Sequence, residues 1–407
     1  MITTQPLGEI ADIVRGISFP KGARSLVPRD GDVACLRTTN VQRDVEWDDL
    51  WFVPTEHVKR PEQFVQPGDI LISTANSYDL VGKVAIVSTM PRQATLGAFI
   101  SLIRPCSGVD PKYLYHQLAW GRTQSRIRDT ASTTTNISNV STKKLAALEL
   151  DLPSLGEQRR IVAELEKQFS RLDHAVANLK RVKANAARLV GSVLVDATAR
   201  RLVQPSTAAW RTLQVCEAGD VLLGRQRAPQ YLTGRWSRKY LRVANIKDDA
   251  IDFTDLGTMD FDEAHFAKYR LAPGDILVSE GQSPELLGQS AIFRGYDEPL
   301  CFQKTLHRFR AHLAITTPEF AQIVFRSHVR SGVFRRLGSI TTNIGHLTLE
   351  KFKAAPFPLP PLDEQHRIAA EVDRRLSVVR DVEAEVDASL RRAKALRQAI
   401  LDCQFSH

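Results

Sequence analysis

Cysteine is scarce in this sequence, and its few copies are scattered. The chain of 407 residues has five, at positions 35, 106, 216, 301 and 403, and no two form the Cys-x-x-Cys pair of zinc and redox sites. So few cysteines in so long a chain also argue against the dense disulfide framework of a small secreted protein. These absences favour a reducing cytoplasm as the compartment.

Long hydrophobic runs are missing as well. No stretch approaches the roughly 20 consecutive apolar residues that cross a bilayer, although 43% of the residues are hydrophobic. The first residues, MITTQPLGEI, lack the basic and then apolar regions of a signal peptide. We therefore expect a cytoplasmic protein that does not associate with a membrane.

Several enzyme motifs are also absent. The only Pro-Pro pair, at 360–361, precedes a leucine, so the polar-Pro-Pro-aromatic motif that holds a flipped base in DNA methyltransferases is missing. The Gly-Lys pair at 82–83 precedes a valine and has no glycine five residues before its own, which excludes a phosphate-binding loop of the GxxxxGK[ST] type. No two histidines have the HxxxH spacing of a zinc site.

The sequence does carry an excess of positive charge, with a net charge of +9. A basic protein attracts phosphate without sequence preference. Over a chain of this length the excess is modest, so charge alone leaves nucleic-acid binding as one option among several.

An internal repeat is the strongest signal in the sequence. Residues 136–166 and 343–373 align without a gap at an offset of 207, with 13 of 31 positions identical. Two upstream matches keep the same order: QPGDILIS from Gln66 with APGDILVS from Ala272, and LRTTNV from Leu36 with LRVANI from Leu241. The protein is therefore a tandem duplication.

Each half is predicted to contain a globular domain of mixed α/β (α+β) type followed by a long helix. Short β-branched or aromatic runs such as DILISTA and LHRFRA, broken by Gly, Pro and Asp, predict short strands. Stretches such as DPKYLYHQLAW and TPEFAQIVFRSHV predict intervening helices. We expect globular domains at 1–153 and 201–360, and long helices at 154–200 and 361–407.

The two long helices carry an apolar seam that predicts a coiled coil. Ser154 and Glu157 form a capping-box pattern at the start of the first helix. Apolar residues then recur at steps of three and four for more than four heptads, which favours pairing between helices over packing of one helix on its own domain. The expected pairing residues are Leu165, Phe169, Leu172, Val176, Leu179, Val372, Leu376, Val379, Val386 and Leu390. Polar residues at 183, 383 and 397 interrupt the seam.

The duplication also predicts a symmetry. Two copies in one chain usually pack about an approximate twofold axis, which makes the two helices an antiparallel coiled coil with pseudo-twofold symmetry. Duplex DNA also has twofold axes, so a protein with twofold symmetry meets two half-sites about 34–36 Å apart. Helices of this length reach roughly 60 Å, which is enough to set such a spacing. The globular domains have diverged, so we expect two half-sites of different sequence.

Polar and basic residues just before the repeated linker are candidates for DNA contact. Arginine forms bidentate contacts with guanine or phosphate, and asparagine pairs with adenine. The alternative is a solvated helix face followed by a capping loop. The candidates are Arg122, Arg126, Arg128, Thr134, Thr135 and Asn136 in the first half and Arg335, Arg336, Thr341, Thr342 and Asn343 in the second.

Three further segments are weaker candidates. One follows the Pro-Gly-Asp turn, one follows the aligned strand LRTTNV or LRVANI, and one is a basic loop found only in the second half. Asn40 and Asn245 recur in both copies, so they alternatively cap a turn, and the basic loop is either a phosphate clamp or a solubilising loop. These candidates are Ser73, Thr74, Asn76, Tyr78, Ser279 and Gln282; Arg37, Thr38, Asn40, Arg242 and Asn245; and Arg225, Arg227, Arg238 and Lys239.

One acidic group imitates a nuclease site. Asp275, Glu280 and Gln282 approximate the Asp…Glu-x-Lys spacing that places a divalent cation on two carboxylates. The lysine is missing, and Thr74 and Asn76 stand at the equivalent positions of the first half. Turn residues after Pro-Gly are the better interpretation of both aspartates, Asp69 and Asp275.

Taken together, these motifs resemble the specificity subunits of type I restriction-modification systems, and the resemblance covers essentially the whole chain. It is carried by PGDILIS, by the repeated linker L-P-x-L-x-E-Q-R-x-I and by the long helix that follows. The linker residues are Leu152, Pro153, Glu157, Gln158 and Ile161 in the first copy and Leu359, Pro360, Glu364, Gln365 and Ile368 in the second.

The resemblance implies two target recognition domains, each reading one half of a split sequence in double-stranded DNA, with the paired helices fixing the spacer. It implies docking of two modification subunits, which bind S-adenosylmethionine and methylate a flipped adenine, and of restriction subunits that use ATP and Mg. This chain would be non-catalytic and hold no cofactor or metal. Two alternatives are a coiled-coil adaptor whose globular domains bind proteins, and an autonomous enzyme, against which the missing motifs speak.

Overall fold

The computed structural model describes residues 3–134, 137–203, 209–341 and 343–406. The chain divides into two compact units, unit 1 (Met1–Leu179 with Ala388–His407) and unit 2 (Lys180–Asp387). Thr135, Asn136 and Thr342, three of the candidate DNA contacts, lie outside the described residues.

Short strands form the sheets of both units, as the broken β-branched runs predict. In the first half they are β1 (Thr3–Pro6), β2 (Ala11–Arg15), β3 (Asp32–Leu36), β4 (Trp51–Pro54), β5 (Ile70–Ser73), β6 (Ala75–Asn76), β7 (Val84–Ile86), β8 (Ala94–Leu96), β9 (Ile100–Pro105), β10 (Ser132–Thr133), β11 (Ser138–Asn139) and β12 (Glu149–Leu152). In the second half they are β13 (Arg211–Gln214), β14 (Gly219–Leu223), β15 (Ser237–Leu241), β16 (Ile246–Lys247), β17 (Ala250–Ile251), β18 (Gly257–Asp260), β19 (Ile276–Ser279), β20 (Gly281–Gln282), β21 (Ser290–Ile292), β22 (Cys301–Phe302), β23 (Leu306–Ala311), β24 (Ser339–Thr341), β25 (Ile344–His346) and β26 (Pro356–Leu359).

Helices lie between and after these strands. They are α1 (Leu7–Ile10), α2 (Pro111–Ala119), α3 (Gly121–Asp129), α4 (Thr142–Ala146), α5 (Leu155–Thr198), α6 (Val215–Ala218), α7 (Glu263–Tyr269), α8 (Pro318–Arg330), α9 (Val333–Leu337), α10 (Leu349–Lys353) and α11 (Leu362–Phe405). No helix of the described ranges is long and apolar enough to cross a membrane.

The two units share one sheet topology. In unit 1 a four-stranded sheet has the order β2-β9-β5-β7, and a three-stranded sheet has the order β4-β3-β8. Unit 2 repeats both as β14-β23-β19-β21 and β18-β15-β22. The prediction of two similar mixed α/β domains is therefore confirmed.

Alternation along the central strands builds the cores. Successive side chains of a strand point to opposite faces of the sheet. Accordingly, Ile70 and Ile72 of β5 belong to one apolar cluster, while the intervening Leu71 belongs to another. Because both faces are covered, every residue of β5 is buried, and the equivalent strand β19 repeats the pattern.

The two longest helices, α5 and α11, each have 44 residues. At 1.5 Å per residue, each is about 66 Å long. The Ser154 hydroxyl accepts a hydrogen bond from the backbone N–H of Glu157 at 3.4 Å, as the capping pattern predicts.

Each unit pairs a segment of α5 with a segment of α11. In unit 1 the first turns of α5, with Leu165 and Phe169, share an apolar cluster with Leu401 and Phe405 at the end of α11. In unit 2 the last turns of α5, around Leu194, share a cluster with the first turns of α11. The start of one helix therefore meets the end of the other in both units, and the pairing is antiparallel.

The expected pairing residues differ in burial. Buried members are Leu165, Phe169, Val372, Leu376, Val379 and Val386. Half-buried members are Leu172, Val176, Leu179 and Leu390.

Two of the polar interruptions of the seam form ion pairs between the helices. In unit 2, Lys183 of α5 contacts Asp387 of α11 at 2.6 Å. In unit 1, Arg397 of α11 contacts Asp173 of α5, and its guanidinium lies 4.2 Å from the centre of the Phe169 ring. The interruptions therefore contribute to the pairing.

Candidate nucleic-acid interface

A buried glutamine joins each long helix to the globular domain before it. In unit 1, Gln158 accepts a hydrogen bond from the backbone N–H of Asp110 at 2.8 Å and donates to the carbonyls of Pro153 and Gly108. Gln158 is 1% exposed. The glutamine of the linker motif therefore fixes the domain relative to the helix.

Unit 2 uses the equivalent glutamine in the same way. Gln365 accepts from the backbone N–H of Thr317 and the hydroxyl of Thr316, both at 3.0 Å. It donates to the carbonyls of Ile315 and Pro360 at 3.0 and 2.9 Å. Any surface that the globular domain presents is thus positioned relative to the helix.

Two candidate segments of unit 1 come together in one small sheet. The polar tract before the linker forms a hairpin of β10 and β11, and β11 pairs with β6, which follows the Pro-Gly-Asp turn. Asn139 stands opposite Ala75 and Ser138 opposite Asn76 in this sheet. The polar tract and the turn segment, far apart in sequence, therefore form one surface.

Unit 2 repeats this sheet with different side chains. Its order is β20-β25-β24, in which Gln282 stands opposite Gly345 and Thr341 opposite Ile344. In both hairpins a threonine hydroxyl closes the loop: Thr134 donates to the carbonyl of Ile137 at 3.1 Å, and Thr341 donates to that of Ile344 at 3.3 Å. We call these two sheets the hairpin sheets.

Exposed side chains surround the hairpin sheets. Tyr78 is 52% exposed and follows β6. Apolar side chains that the sequence did not single out are also exposed: Ile137 at 48% and Ile344 at 52%. The exposed predicted candidates in the hairpins, in the turn after β6 and in the helices that precede the hairpins are Tyr78, Arg122, Arg126, Thr134, Arg335, Arg336, Thr341 and Asn343.

Other candidates are partly occupied by contacts within their own unit. Asn76 is half-buried and donates to the Ser73 hydroxyl at 3.3 Å. Arg122 lies over the Trp120 ring at 5.4 Å, and Trp120 donates to Asp402 at the end of α11. The half-buried candidates are Arg37, Thr38, Asn76, Arg128, Arg242 and Gln282.

Asn40 and Asn245 are turn caps, which corrects their choice as base-reading residues. Asn40 is 2% exposed, accepts from the backbone N–H of Arg37, and donates to the carbonyls of Glu46 and Asp48. Asn245 is 3% exposed and caps the corresponding turn from Arg242. The recurrence of this asparagine thus has the structural explanation that its position after the strand suggested.

Three further candidates are buried in their own domains, so their choice as base-reading residues was also wrong. Ser73 and Ser279 end the central strands β5 and β19 and have no exposed surface. Thr74, which follows Ser73, is 8% exposed. A side chain enclosed by its own core cannot reach a base edge.

Only part of the basic loop of unit 2 is a surface loop. Arg225 is 6% exposed, donates to the carbonyl of Asp260, and lies 4.1 Å from the centre of the Tyr231 ring. It is therefore a core residue, contrary to expectation. Arg227, Arg238 and Lys239 are exposed, and Lys239 pairs with Glu298 at 2.6 Å.

The two aspartates of the nuclease-like pattern hold turns and arginines. Asp69 accepts from the backbone N–H of Gln66 at 2.7 Å and from Arg104 at 2.8 and 2.7 Å. Asp275 repeats the pattern with Arg310 at 2.6 and 2.7 Å. Both aspartates are 1% exposed, so their carboxylate oxygens make hydrogen bonds within their own domains.

Two buried thiols and one buried imidazole are held in neutral forms. Burial raises the pKa of the Cys35 thiol and of the Cys301 thiol to about 12, which suppresses the reactive thiolate. Burial, together with Arg43, Arg397 and Lys112, lowers the pKa of His116 to about 4. Among the described residues, no group of three or more His, Cys, Asp or Glu is arranged to hold a metal ion.

A cleft adjoins the hairpin sheet of unit 1. Its volume is about 490 Å³, and its walls include Ile17, Phe19, Trp51 and Phe99. Phe99 is 63% exposed, and its carbonyl accepts from the backbone N–H of Thr74 at 2.9 Å. Arg37 and Thr38, two of the predicted candidates, also line this cleft, whereas the sequence did not single out its aromatic residues.

These observations define a duplicated protein in which each half has a mixed α/β domain fixed by a buried glutamine to a 44-residue helix. The family model for the type I restriction modification DNA specificity domain matches residues 3–181 and 229–381. The chain therefore belongs to the family of type I restriction-modification specificity subunits.

Similar proteins span nearly all of the chain. It is 26% identical to the type I restriction enzyme StySPI specificity subunit of Salmonella potsdam, over 99% of this chain and 88% of that protein. It is 23% identical to the EcoKI specificity subunit of Escherichia coli strain K12, over 98% of this chain and 87% of that protein.

A solved structure shares the fold. It comes from work on complex assembly and conformational transition of the type I R-M system, and its TM-score is 0.71 at 18% identity. The match covers 99% of this chain and 97% of the solved chain.

Proposed function

We propose that this chain reads a split DNA target, with each globular domain recognising one half. The observation that carries the proposal is the pair of hairpin sheets, which have the same topology and different side chains. Unit 1 offers Asn76 and Asn139 there, where unit 2 offers Gln282 and His346. One scaffold with two sets of donors and acceptors suits recognition of two unlike half-sites.

We propose in addition that the chain is a non-catalytic scaffold for modification and restriction subunits. On this proposal, S-adenosylmethionine, ATP and Mg bind to those partners, which carry out methylation and cleavage. In support, Arg310 occupies Asp275 of the nuclease-like pattern, and the buried Cys301 thiol is held protonated.

Domain exchange tests the split target. The full chain, assembled with its modification subunits, would have residues 1–153 replaced by the corresponding domain of a relative. We expect methylated-adenine sequencing of the host genome to show one altered half-site and one unchanged half-site. A change in both halves would contradict the proposal.

Helix length tests the role of the paired helices. A heptad inserted into both α5 and α11 adds about 10 Å to each helix, and we expect the spacer between half-sites to lengthen. An unchanged spacer would refute a ruler role and leave the split target intact.

A coiled-coil adaptor that binds proteins is the competing function. Phosphate contacts make DNA affinity fall steeply as salt increases. Fluorescence anisotropy of the assembled complex with a target duplex, between 50 and 200 mM salt, should show this fall. Absence of any specific duplex binding would favour the adaptor.

A further inference from the structure

The cleft beside the hairpin sheet of unit 1 has an apolar interior and a cationic rim. Ile17, Phe19 and Trp51 supply apolar surface. Lys21 and Arg24 are exposed at the rim, and the Arg24 guanidinium lies 4.4 Å from the centre of the Trp51 ring. The Arg37 guanidinium also lies over this ring, at 4.7 Å.

Unit 2 has a longer buried side chain at the position that Ile17 occupies in unit 1. Ile17 and Arg225 occupy equivalent positions, since each forms an isolated bridge to the turn before the long central strand, Ile17 with Gly97 and Arg225 with Gln303. Arg225 is 6% exposed and is covered by Tyr231 and Phe261. The shorter Ile17 has no such reach.

We propose that the unit 1 cleft takes one nucleobase that has left the base stack of the bound DNA. This base packs on the Phe99 ring, and the adjacent phosphates contact Lys21 and Arg24. This base is separate from the adenine that is methylated. The proposal rests on the proposed function, because it needs DNA on the hairpin sheet.

Three features favour a base as the occupant. Flat aromatic and guanidinium surfaces stack bases of any sequence, and cations at the rim suit the flanking phosphates. A volume of about 490 Å³ is ample for a single base. The cleft is also continuous with the hairpin sheet, since Thr74 and Ala75 both donate backbone hydrogen bonds to the carbonyl of Phe99.

The geometry of DNA makes the proposal specific. A base inside a duplex is stacked and paired, so it reaches a recessed site only when it leaves the helix. Phe99 stands at the mouth of the cleft and is exposed, so it is placed to replace the stacking that the base loses. Unit 2 has Thr305 at the position of Phe99, so we expect no extruded base at the second half-site.

Fluorescence of 2-aminopurine tests the proposal, because this base is quenched by neighbouring bases and brightens when it leaves the base stack of a duplex. The assembled complex would bind duplexes that carry 2-aminopurine in turn at each position of the two half-sites and their flanks, except the methylated adenines. We expect one bright position at the half-site read by unit 1. Phe99→Ala should abolish it and weaken duplex binding about tenfold, whereas Thr305→Ala should retain it.

A second variant alters the cleft and leaves the aromatic ring of Phe99 unchanged. Ile17→Arg introduces the residue of unit 2, and we expect it to fill the cleft and remove the bright position, with thermal unfolding as the check on folding. Specific binding with no bright position, or a bright position that survives Phe99→Ala, would overturn the proposal. If the unaltered complex shows no specific binding to any duplex, the proposed function itself is refuted.

Discussion

Replacement of Gln365 by alanine tests how the globular domain is held on its helix. The side chain is fully buried and makes four hydrogen bonds, to Thr316, Thr317, Ile315 and Pro360. Each such bond contributes about 0.5–1.5 kcal/mol net, and buried groups left unpaired add to the loss. We therefore expect Gln365→Ala to lower the free energy of unfolding of unit 2 by about 2–5 kcal/mol.

The assay is urea unfolding of the full chain, followed by hydrogen exchange of peptides from each unit. With a urea dependence of about 2 kcal/mol per M, the midpoint for unit 2 should fall by about 1–2.5 M. The peptides around 316–330 and 362–372 should lose protection first, and those of unit 1 should change little.

Matched variants separate this effect from a general loss of helix stability. Gln158→Ala removes three hydrogen bonds in unit 1 and should lower the midpoint of that unit instead. Gln168→Ala removes only a hydrogen bond from Gln168 to Glu164, one turn away on α5. This variant should shift the midpoint by less than about 0.3 M. If Gln365→Ala behaves like Gln168→Ala, the docking role of the linker glutamine is refuted.

Three further predictions concern charge. Lys183→Asp should destabilise unit 2 by about 1 kcal/mol, since this ion pair is half exposed, and Asp387→Lys in the same chain should restore it; a double-mutant cycle in urea without coupling would contradict the pairing. His116 is neutral in the folded state because burial lowers its pKa to about 4. In the unfolded chain the same imidazole has a pKa of about 6.5 and takes up a proton at higher pH. The free energy of unfolding of unit 1 should therefore fall as the pH drops from about 6.5 to about 4. Urea midpoints measured across that range should slope less in His116→Gln, and equal slopes would exclude His116 as the cause. Asp69→Asn should cost about 2–4 kcal/mol in urea unfolding because it leaves Arg104 without its buried carboxylate, and a loss below about 0.5 kcal/mol would contradict that role.

The direct contacts with DNA stay a prediction. Members such as Arg126 and Tyr78 are exposed. Asn40 and Ser73, which looked equally suitable as sequence, are enclosed by their own domain. Residue type alone did not distinguish the two groups, because an asparagine that caps a turn and one that reads adenine use the same donors and acceptors.

The long helices, the duplication and the linker motif were determined by the sequence itself. Helical seams and capping pairs depend on residues three or four apart, and a repeat is visible without any folding. The mixed α/β class followed as well, because short runs such as DILIS and DILVS form strands whose alternate faces are both covered.

Only the tertiary structure decided which distant segments share a surface. The pairing of β6 with β11 joins residues more than 60 positions apart, and no local pattern specifies such a partner. The cleft at Trp51 and Phe99 and the burial of Arg225 depend on how neighbouring strands and turns pack in each unit. Local periodicity is a property of the chain, whereas a binding surface is a property of contacts that exist only after the chain has closed on itself.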